Sequence, residues 1–318
     1  MKHVFILNPA AGQCTAQKDY EEQIKICAEK LGCDYEIYFT KGVGDATDFV
    51  KNYDQKGECC RYYSIGGDGT LNEVVHGAVG KENCEVAAIP AGTGNDFIRS
   101  FSHHVYFSDI ERQMRGHADS VDVIEYDGGH AINMVNIGYD CRVVERTAIL
   151  KKQPFIAGSF AYIAGLVIEL ARKMGDEIEL IFDGDKKVGG TYLLCSVANG
   201  CYCGGGFYSS PLAKLNNGML DVNLIKKVSR LEFLSMVGEY KTGHLYDSEK
   251  TKGVYEYYRC NSVTIKQKTR PLFCIDGELC HKDELTFRAL KNALRFSIPE
   301  GCQKTHMVSE KAEEFQTV

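Results

Sequence analysis

The strongest clue to the fold is Ser64-Ile65-Gly66-Gly67-Asp68-Gly69-Thr70-Leu71-Asn72-Glu73, which lies just after an apolar run and just before a helix-like run. Glycines permit close approach of the backbone and positive φ angles, and amides at the start of a helix favour anions. Asp68 adds a carboxylate that can hold a metal ion or accept a proton. The stretch is typical of a loop that closes around a polyphosphate, although Asp-Gly also occurs in plain tight turns.

Two common nucleotide-binding motifs are missing from the sequence. No glycine-rich stretch continues to Gly-Lys-Ser/Thr, and no Gly-x-Gly-x-x-Gly follows a strand-like run. The P-loop and the dinucleotide fingerprint are therefore excluded.

Two further junctions have the same form. Residues 2–7 form a β-like run that ends at Asn8-Pro9-Ala10-Ala11-Gly12, and residues 86–89 form another that ends at Pro90-Ala91-Gly92-Thr93-Gly94-Asn95-Asp96-Phe97. Ligands of open α/β sheets bind at the carboxyl ends of the strands, so three such turns can line one crevice. A plain strand-to-helix turn would explain any one of them, but the polar residue in each favours a shared site.

The periodicity of the chain changes near residue 120. Before it, β-like runs alternate with amphipathic stretches such as the helical pattern from Ile24 to Leu31. After it, the runs are mostly strand-like and are separated by turn dipeptides, as in an antiparallel sandwich. These runs are Val121–Tyr126, Ala131–Ile137, Glu177–Phe182, Gly190–Ala198, Leu220–Ile225 and several from Tyr255 to Ser297. We predict an α/β domain at residues 1–120, a β-rich domain at 121–300 and a polar tail at 301–318 that frays from Gln303.

One stretch interrupts the strand pattern. Residues from Phe155 to Ala171 are apolar apart from Ser159 and Glu169, and lysines or arginines flank them on both sides. The stretch is too short to span a bilayer, so we expect a buried helix on the second domain. The alternative is a helix that borders a lipid cleft while its basic flanks meet anionic headgroups.

Composition fits a globular protein of two domains. The chain has 318 residues, of which 44% are hydrophobic and 25% are charged. Its net charge of −6 argues against a nucleic-acid partner, and contact with a membrane would need a local basic or apolar patch. Fourteen cysteines and the absence of a signal peptide suit a reducing compartment, so we expect a cytoplasmic protein that associates transiently with membranes.

In the order and spacing of its motifs, the chain resembles the bacterial diacylglycerol kinase family of soluble lipid kinases, relatives of the sphingosine kinases and, more distantly, of the NAD kinases. The resemblance runs from residue 2 to about residue 297. It is carried by Asn8-Pro9 with Gly12, Gly66 to Thr70 with Asn72-Glu73, Gly92 to Phe97, Asp122, Asn136 with Gly138-Tyr139-Asp140, Gly204-Gly205-Gly206 with Pro211, and Ile275-Asp276-Gly277-Glu278.

The resemblance implies an active site in the cleft between an ATP-binding domain and a β-sandwich domain. Asp68 and Asp96 are candidates to hold Mg²⁺ beside the phosphates, and Glu278 matches the general base that acts on the lipid hydroxyl. Asp276-Gly277 also fits a hairpin turn, which would aim Glu278 into the cleft. The implied ATP pocket comprises Asn8, Gly12, Thr40, Gly66, Gly67, Asp68, Gly69, Thr70, Asn72, Glu73 and Thr93. Asp122 matches a family carboxylate behind the loop, but a solvated surface position explains it equally well.

The chain departs from the family at one turn. Family members hold a structural Mg²⁺ where Asp usually precedes Gly, but here Asn217 precedes Gly218. The backbone carbonyls of Lys214 and Met219 match the other ligands. An amide oxygen can bind Mg²⁺ but brings no charge, and Asn-Gly is itself a favoured turn that needs no ion.

The sequence thus predicts a Mg²⁺-dependent kinase that moves the γ-phosphate of ATP to the hydroxyl of diacylglycerol or a similar lipid alcohol at a membrane surface. Two alternatives stay open, namely a nucleotide kinase like the NAD kinases and a catalytically silent regulator that binds nucleotide or lipid. A homodimer is also left open. No transmembrane segment is expected.

Overall fold

The structure, a computed structural model, describes residues 1–11, 16–150 and 158–305. Its α-helices are α1 (Ala16–Leu31), α2 (Asp45–Asn52), α3 (Asp68–Ala78), α4 (Ile110–Arg115), α5 (Tyr139–Leu150), α6 (Gly158–Ala171) and α7 (Arg230–Thr242). Its strands are β1 (Lys2–Leu7), β2 (Tyr35–Phe39), β3 (Cys60–Gly66), β4 (Cys84–Pro90), β5 (His117–Tyr126), β6 (Gly129–Ala131), β7 (Met134–Gly138), β8 (Asp176–Phe182), β9 (Lys186–Ala198), β10 (Leu220–Lys226), β11 (Tyr255–Cys260), β12 (Ser262–Gln267), β13 (Phe273–Ile275), β14 (Glu278–Cys280) and β15 (Glu284–Ile298).

The first part of the chain builds a parallel sheet in the order β2-β1-β3-β4. Strand β3 is buried along its whole length, and β1 and β4 nearly so, as expected when helices cover both faces. Helices α1 and α4 pack on one face and α2 and α3 on the other. The strands predicted at residues 2–7 and 86–89 and the helix predicted around residues 24–31 are confirmed.

The second part of the chain is antiparallel. Strands β7, β8, β9 and β12 pair in the order β7-β9-β8-β12, β10 pairs with β9 and β11, and β13 and β14 form a hairpin beside β7. The last strand, β15, joins both parts because it pairs antiparallel with β12 and β5 and, at Phe296, parallel with Val86 of β4. The strands therefore form one mixed sheet, and the predicted fold class is confirmed. The boundary at residue 120 stays a prediction.

Three details of the predicted fold are wrong. The single strand predicted at residues 131–137 is broken, because the N–H groups of Ile132, Asn133 and Met134 donate to the Asp276 carboxylate rather than to a neighbouring strand. Helices α5 and α7 interrupt the second part in addition to α6. Residues 303–305 pack against the first part of the chain, where Thr305 donates to the Ser100 carbonyl, so these three residues of the predicted tail do not fray, and residues 306–318 lie outside the described ones.

The predicted helix at residues 155–171 is present from Gly158, and its first three residues lie outside the described ones. Leu166 and Leu170 pack against a core cluster that also contains side chains of α5 and α7. Glu169 is buried and forms ion pairs with Arg142 and Arg146 of α5. Among the described residues, no helix is long and apolar enough to cross a membrane.

Candidate active site

The loops after β3 and β4 pack backbone against backbone. A Cβ added to Gly92 would lie 2.5 Å from the Cα of Gly67, so no side chain fits at position 92. Asp68 holds them together, since its Oδ2 accepts the N–H of Asn95 at 2.7 Å and its Oδ1 accepts the N–H of Asp96 at 2.8 Å. The structure thus brings together the two loops that contain most of the residues predicted to bind phosphate.

Asp96 is buried beside Asp68. Its Oδ2 accepts the N–H of Gly205 at 2.9 Å, while its Oδ1 is buried without a hydrogen bond and lies 3.5 Å from the Nε of Arg99. Burial raises the pKa of Asp96 to about 6, and burial also raises the pKa of Asp68. Two carboxylates whose pKa values are raised by desolvation are suited to a cation.

The turn that follows β1, which begins at Asn8, contacts the residues that follow β3. Asn8 Nδ2 donates to the hydroxyl of Thr70 at 2.9 Å, and Asn8 Oδ1 accepts the N–H of Ala10. Thr40 follows β2, where its N–H donates to the Leu7 carbonyl at 2.9 Å. All three predicted turns therefore lie at the carboxyl edge of the parallel sheet. Gly12, also predicted to line the pocket, lies outside the described residues.

Asn72 and Glu73, predicted to cradle ATP, have structural partners. Asn72 Nδ2 donates to Asp276 Oδ2 at 2.7 Å and so ties α3 to the β13–β14 hairpin. The Glu73 carboxylate accepts the N–H groups of Gly44 and Ala46 at the start of α2. These contacts position the loop, and direct contact of either side chain with ATP stays a prediction.

The β13–β14 hairpin places Glu278 over the predicted phosphate-binding loop from Gly66 to Thr70. Asp276 and Gly277 both have positive φ angles, 46° and 93°, which two-residue hairpin turns require, so the turn predicted there is confirmed. The position that a Cβ would take at Gly69 lies 3.7 Å from Glu278 Oε1. Glu278 is exposed, but desolvation by the surrounding residues, together with the charge of Glu73, raises its pKa. A carboxylate with a raised pKa near a phosphate loop suits proton transfer.

A cavity of about 840 Å³ extends from these loops into the second part of the chain. Asp68, Thr93, Asp96 and Asp276 lie at its polar end. The rest of its wall is mainly apolar and comes largely from α5, α6, α7 and β7, with Met134, Tyr139, Val144, Leu166, Leu170, Phe207, Phe233, Leu234 and Val237 among its residues. The cavity therefore joins a site suited to phosphate and metal to a space suited to hydrocarbon.

Comparisons with known proteins agree with this arrangement. Residues 2–126 match the diacylglycerol kinase catalytic domain, and residues 133–297 match the YegS C-terminal NAD kinase beta sandwich-like domain. The chain belongs to the diacylglycerol kinase family of lipid kinases. The resemblance inferred from the motifs is confirmed.

Relatives match along most of their length. A diacylglycerol kinase of Bacillus subtilis (strain 168) is 28% identical over 279 residues, which cover 86% of this chain and 88% of that protein. One from Staphylococcus saprophyticus subsp. saprophyticus is 27% identical over 316 residues, or 96% and 98% of the two chains. The crystal structure of a diacylglycerol kinase from Bacillus anthracis str. Sterne has the same fold, with a TM-score of 0.71, 23% identity and coverage of 94% and 97%.

The turn at Asn217-Gly218, where the chain departs from the family pattern, is stabilised by hydrogen bonds within the protein. Asn217 Oδ1 accepts the N–H of Met219 at 3.0 Å, and Asp122 Oδ2 accepts the N–H of Gly218 at 2.6 Å. Asp122 is buried, so its alternative interpretation as a solvated surface residue is wrong. Lys214 is exposed at the start of the turn. Binding of Mg²⁺ by Lys214, Asn217 and Met219 stays a prediction.

Sequence reasoning missed two carboxylates of the cavity. The sequence pattern predicts only a turn at Asp276, but its buried carboxylate accepts hydrogen bonds from three backbone N–H groups and from Asn72. Asp140 lies in the apolar half, where Tyr240 donates a hydrogen bond of 2.5 Å to it. Burial raises the pKa of each carboxyl to about 6. Asp140 and Asp276 both belong to motifs that carry the family resemblance, and this membership could have marked them as functional candidates. A motif does not show, however, which groups its side chains contact.

Proposed function

We propose that the protein is an ATP-dependent lipid kinase that transfers the γ-phosphate of ATP to the hydroxyl of diacylglycerol or a similar lipid alcohol. The observation that carries the proposal is the cavity, because one end has the phosphate loop and its carboxylates while the other end is lined with apolar side chains. A lipid alcohol whose chains fill the apolar end would present its hydroxyl at the polar end.

The proposed ATP site lies at the carboxyl edge of the parallel sheet. The amides of the loop from Gly66 to Thr70 lie at the start of α3 and favour the phosphates. Gly67 and Gly92 carry no side chains that would keep the phosphates away from the backbone. Asn8, Thr40 and Thr93 border the same edge. Holding the terminal phosphate in line with the acceptor hydroxyl supplies most of the acceleration in this chemistry.

The residues present fit a magnesium ion. Asp96 Oδ1 is buried without a hydrogen bond, and Asp68 lies directly beside it, so the two carboxylates would hold the ion. When bound, Mg²⁺ neutralises the charge that develops on the phosphoryl oxygens. Glu278, which lies over Gly69, accepts the proton of the lipid hydroxyl as the hydroxyl oxygen bonds to the γ-phosphorus, and the bond from that phosphorus to the bridging oxygen breaks so that ADP leaves.

The apolar wall favours a lipid acceptor over NAD. A dinucleotide acceptor carries charged phosphates and ribose hydroxyls, which would have to leave water for a wall made of Leu, Val and Phe side chains. The test is to incubate the purified protein with labelled ATP, Mg²⁺ and, separately, diacylglycerol, other lipid alcohols and NAD. Label should move to at least one lipid alcohol and not to NAD. Labelled NADP would identify a nucleotide kinase, and ATP binding without any transfer would identify a silent regulator.

A further inference from the structure

One ionisable side chain lies in the apolar half of the cavity. Asp140, in the first turn of α5, lines the cavity together with Val144, Phe207 and Phe233. The proposed phosphoryl transfer does not use its carboxyl group. An ionised carboxylate against an apolar wall is costly unless hydrogen bonds replace those that it made with water. Asp140 therefore needs partners for both of its carboxylate oxygens.

Protein groups satisfy only one of these oxygens. Tyr240 of α7 donates to Asp140 Oδ2 at 2.5 Å, and this is the only hydrogen bond that the carboxylate accepts in the described part of the chain. Arg142, whose positive charge acts on Asp140, forms its ion pairs with Glu169 and Asp176. Asp140 is half-buried, since one side of it faces the cavity. Its Oδ1 is thus available to a bound molecule.

The Asp140 carboxylate lies near the proposed site of phosphoryl transfer. Cys203 Sγ is 3.4 Å from the Tyr240 hydroxyl, and Cys203 lies two residues before Gly205, whose N–H donates to Asp96. Because consecutive Cα atoms are about 3.8 Å apart, the Cα atoms of Cys203 and Gly205 are at most about 7.6 Å apart. Short contacts therefore link Asp140, through Tyr240 and Cys203, to one of the carboxylates proposed to hold Mg²⁺. A headgroup whose hydroxyl lies beside Asp96 can reach Asp140 with a neighbouring group.

The partner that Asp140 lacks is a hydrogen-bond donor. Burial raises its pKa to about 6, so the group is ionised at neutral pH and can only accept. A hydroxyl or an amine would donate to it, whereas an ester oxygen is itself an acceptor and would be repelled. Asn136 Oδ1 is also buried on the cavity wall without a hydrogen bond among the described residues. The wall therefore favours a headgroup that brings a donor of its own.

We propose that Asp140, positioned by Tyr240, binds a second hydrogen-bond donor in the headgroup of the lipid acceptor, next to the hydroxyl that receives the phosphate. The acceptor is then a lipid alcohol that carries a further hydroxyl or an amine, such as a monoacylglycerol or a long-chain amino alcohol. Diacylglycerol, whose other two oxygens are esterified, lacks such a donor and is the poorer acceptor. The proposal rests on the proposed lipid-kinase function, because it names the class of lipid that the same cavity takes.

The test compares two lipids that differ only in the second donor. One is a monoacylglycerol with neighbouring primary and secondary hydroxyls, and the other is the same lipid with its secondary hydroxyl methylated. Both keep the primary hydroxyl, and both are presented with labelled ATP and Mg²⁺ in the same detergent micelles. The parent should have a kcat/KM roughly tenfold to hundredfold higher for the free diol, because the carboxylate loses its donor in the methyl ether. A long-chain amino alcohol, measured alongside, shows whether a hydroxyl or an amine is the better donor.

Two variants assign this preference to Asp140. Asp140→Asn keeps the shape and the contact with Tyr240 but removes the charge, so the preference for the diol should fall to about threefold or less. Tyr240→Phe leaves the carboxylate in place but removes the hydroxyl that positions it, and it should reduce the preference by a smaller factor. The ratio of the two kcat/KM values is the readout, since a purely structural defect would lower the turnover of both lipids alike.

Asp185→Asn is the matched control, because it makes the same change in the exposed turn between β8 and β9, away from the residues that line the cavity. It should keep the parent's ratio and melting temperature. Equal kcat/KM values for the two lipids in the parent would overturn the proposal. So would a parent-like ratio in Asp140→Asn, because another group would then bind the second donor.

The subsite and the kinase activity fail separately. Binding of the two lipids without ATP is measured by calorimetry, with short-chain forms that dissolve as monomers. Tighter binding of the diol that depends on Asp140, without phosphorylation of any lipid, would keep the subsite and overturn the kinase. Phosphorylation of both lipids at equal rates, with equal affinities, would keep the kinase and overturn the subsite.

Discussion

The polar and apolar ends of the cavity are built in different ways. At the polar end, short glycine-rich motifs follow β1, β3 and β4, and backbone amides and carboxylates meet at fixed distances. At the apolar end, the wall is assembled largely from side chains of α5, α6 and α7, many of which could be exchanged for others of similar size. Under the proposed function, phosphoryl transfer would therefore be constrained residue by residue, while selection of the acceptor would depend on the summed shape of the apolar wall.

The largest expected effect lies where the two ends meet, at Glu278. Glu278→Gln keeps the shape of the side chain but removes the proton acceptor, so turnover with lipid should fall by roughly 10²- to 10⁴-fold while ATP affinity changes little. Steady-state kinetics and calorimetry measure the two quantities. Glu284→Gln is the control, because Glu284 is an exposed glutamate of the same region that pairs with Lys266, and it should be near normal. Near-normal turnover of Glu278→Gln would remove Glu278 from the chemistry.

The next largest effects are expected for alanine substitutions at Gly67 and Gly92, two glycines of the polar end that should respond differently. Gly67 has a φ of −96°, so an alanine there is not strained, and its Cβ would lie 3.4 Å from the Cα of Gly92. A Cβ on Gly92 would lie only 2.5 Å from the Cα of Gly67, which forces the loops apart. Gly67→Ala should weaken ATP binding with little loss of stability. Gly92→Ala should lower both the ATP affinity and the melting temperature. The melting temperature should fall by several degrees, which corresponds to a loss of about 1–3 kcal/mol in the free energy of unfolding.

Calorimetry with ATP and thermal unfolding of the apoprotein measure these outcomes. If ATP affinity is unchanged in Gly67→Ala, the phosphates bind elsewhere. If Gly92→Ala is as stable as the parent, the direct contact between the two loops does not hold the site.

A smaller effect is expected on the pH dependence of stability, to which one carboxyl group from each end contributes, Asp276 at the polar end and Asp140 at the apolar end. Burial raises the pKa of each from the ordinary value of 3.8 to about 6, so in this window the folded protein holds protons that the unfolded chain releases. Stability should therefore fall as pH rises from 3.8 to about 6. Asp276→Asn and Asp140→Asn should each flatten this slope in measurements of melting temperature against pH. An unchanged slope in both variants would contradict the raised pKa values.

The two variants should differ in baseline stability. Asp276 accepts three backbone N–H groups and Asn72, and an amide cannot replace both carboxylate oxygens as acceptors. Asp140 accepts one hydrogen bond from Tyr240, which an amide oxygen can retain. Below pH 3.8, stability no longer depends on the titration of these two groups. Asp276→Asn should lower the melting temperature even there, whereas Asp140→Asn should not.

The difference between the locally built polar end and the apolar end built by helix packing explains which features the sequence could predict. The three junctions and the Asp276-Gly277 hairpin follow from local chemistry, since glycines, capping groups and positive φ angles are properties of a few neighbouring residues. Helix α7 also had a local signal, the capping box of Ser229 and Glu232, which the strand pattern obscured. Contacts such as Tyr240 with Asp140, which are 100 residues apart in the chain, have no local signal, because they arise only when the helices pack.

The smallest expected effect concerns the turn at Asn217, away from both ends of the cavity. Asn217→Asp would add a charge near Asp122, whose carboxylate already binds the N–H groups of Gly218 and Asn292. Without metal, the two like charges should lower stability slightly. With millimolar Mg²⁺, the melting temperature of the variant should rise by a few degrees more than that of the parent, because an ion that binds only the folded state stabilises it. We expect the parent to respond weakly, since its amide oxygen is occupied by the N–H of Met219.

Asn216→Asp provides the control, because it adds the same charge one residue earlier, at an exposed position. It should respond to Mg²⁺ like the parent, including any response that arises from Asp68 and Asp96. An equal response of the parent and Asn217→Asp would mean that residue 217 is not a ligand position. A strong response in the parent alone would mean that an amide and backbone carbonyls bind the ion better than their lack of charge implies, since a hard cation normally needs an anionic ligand to offset its dehydration.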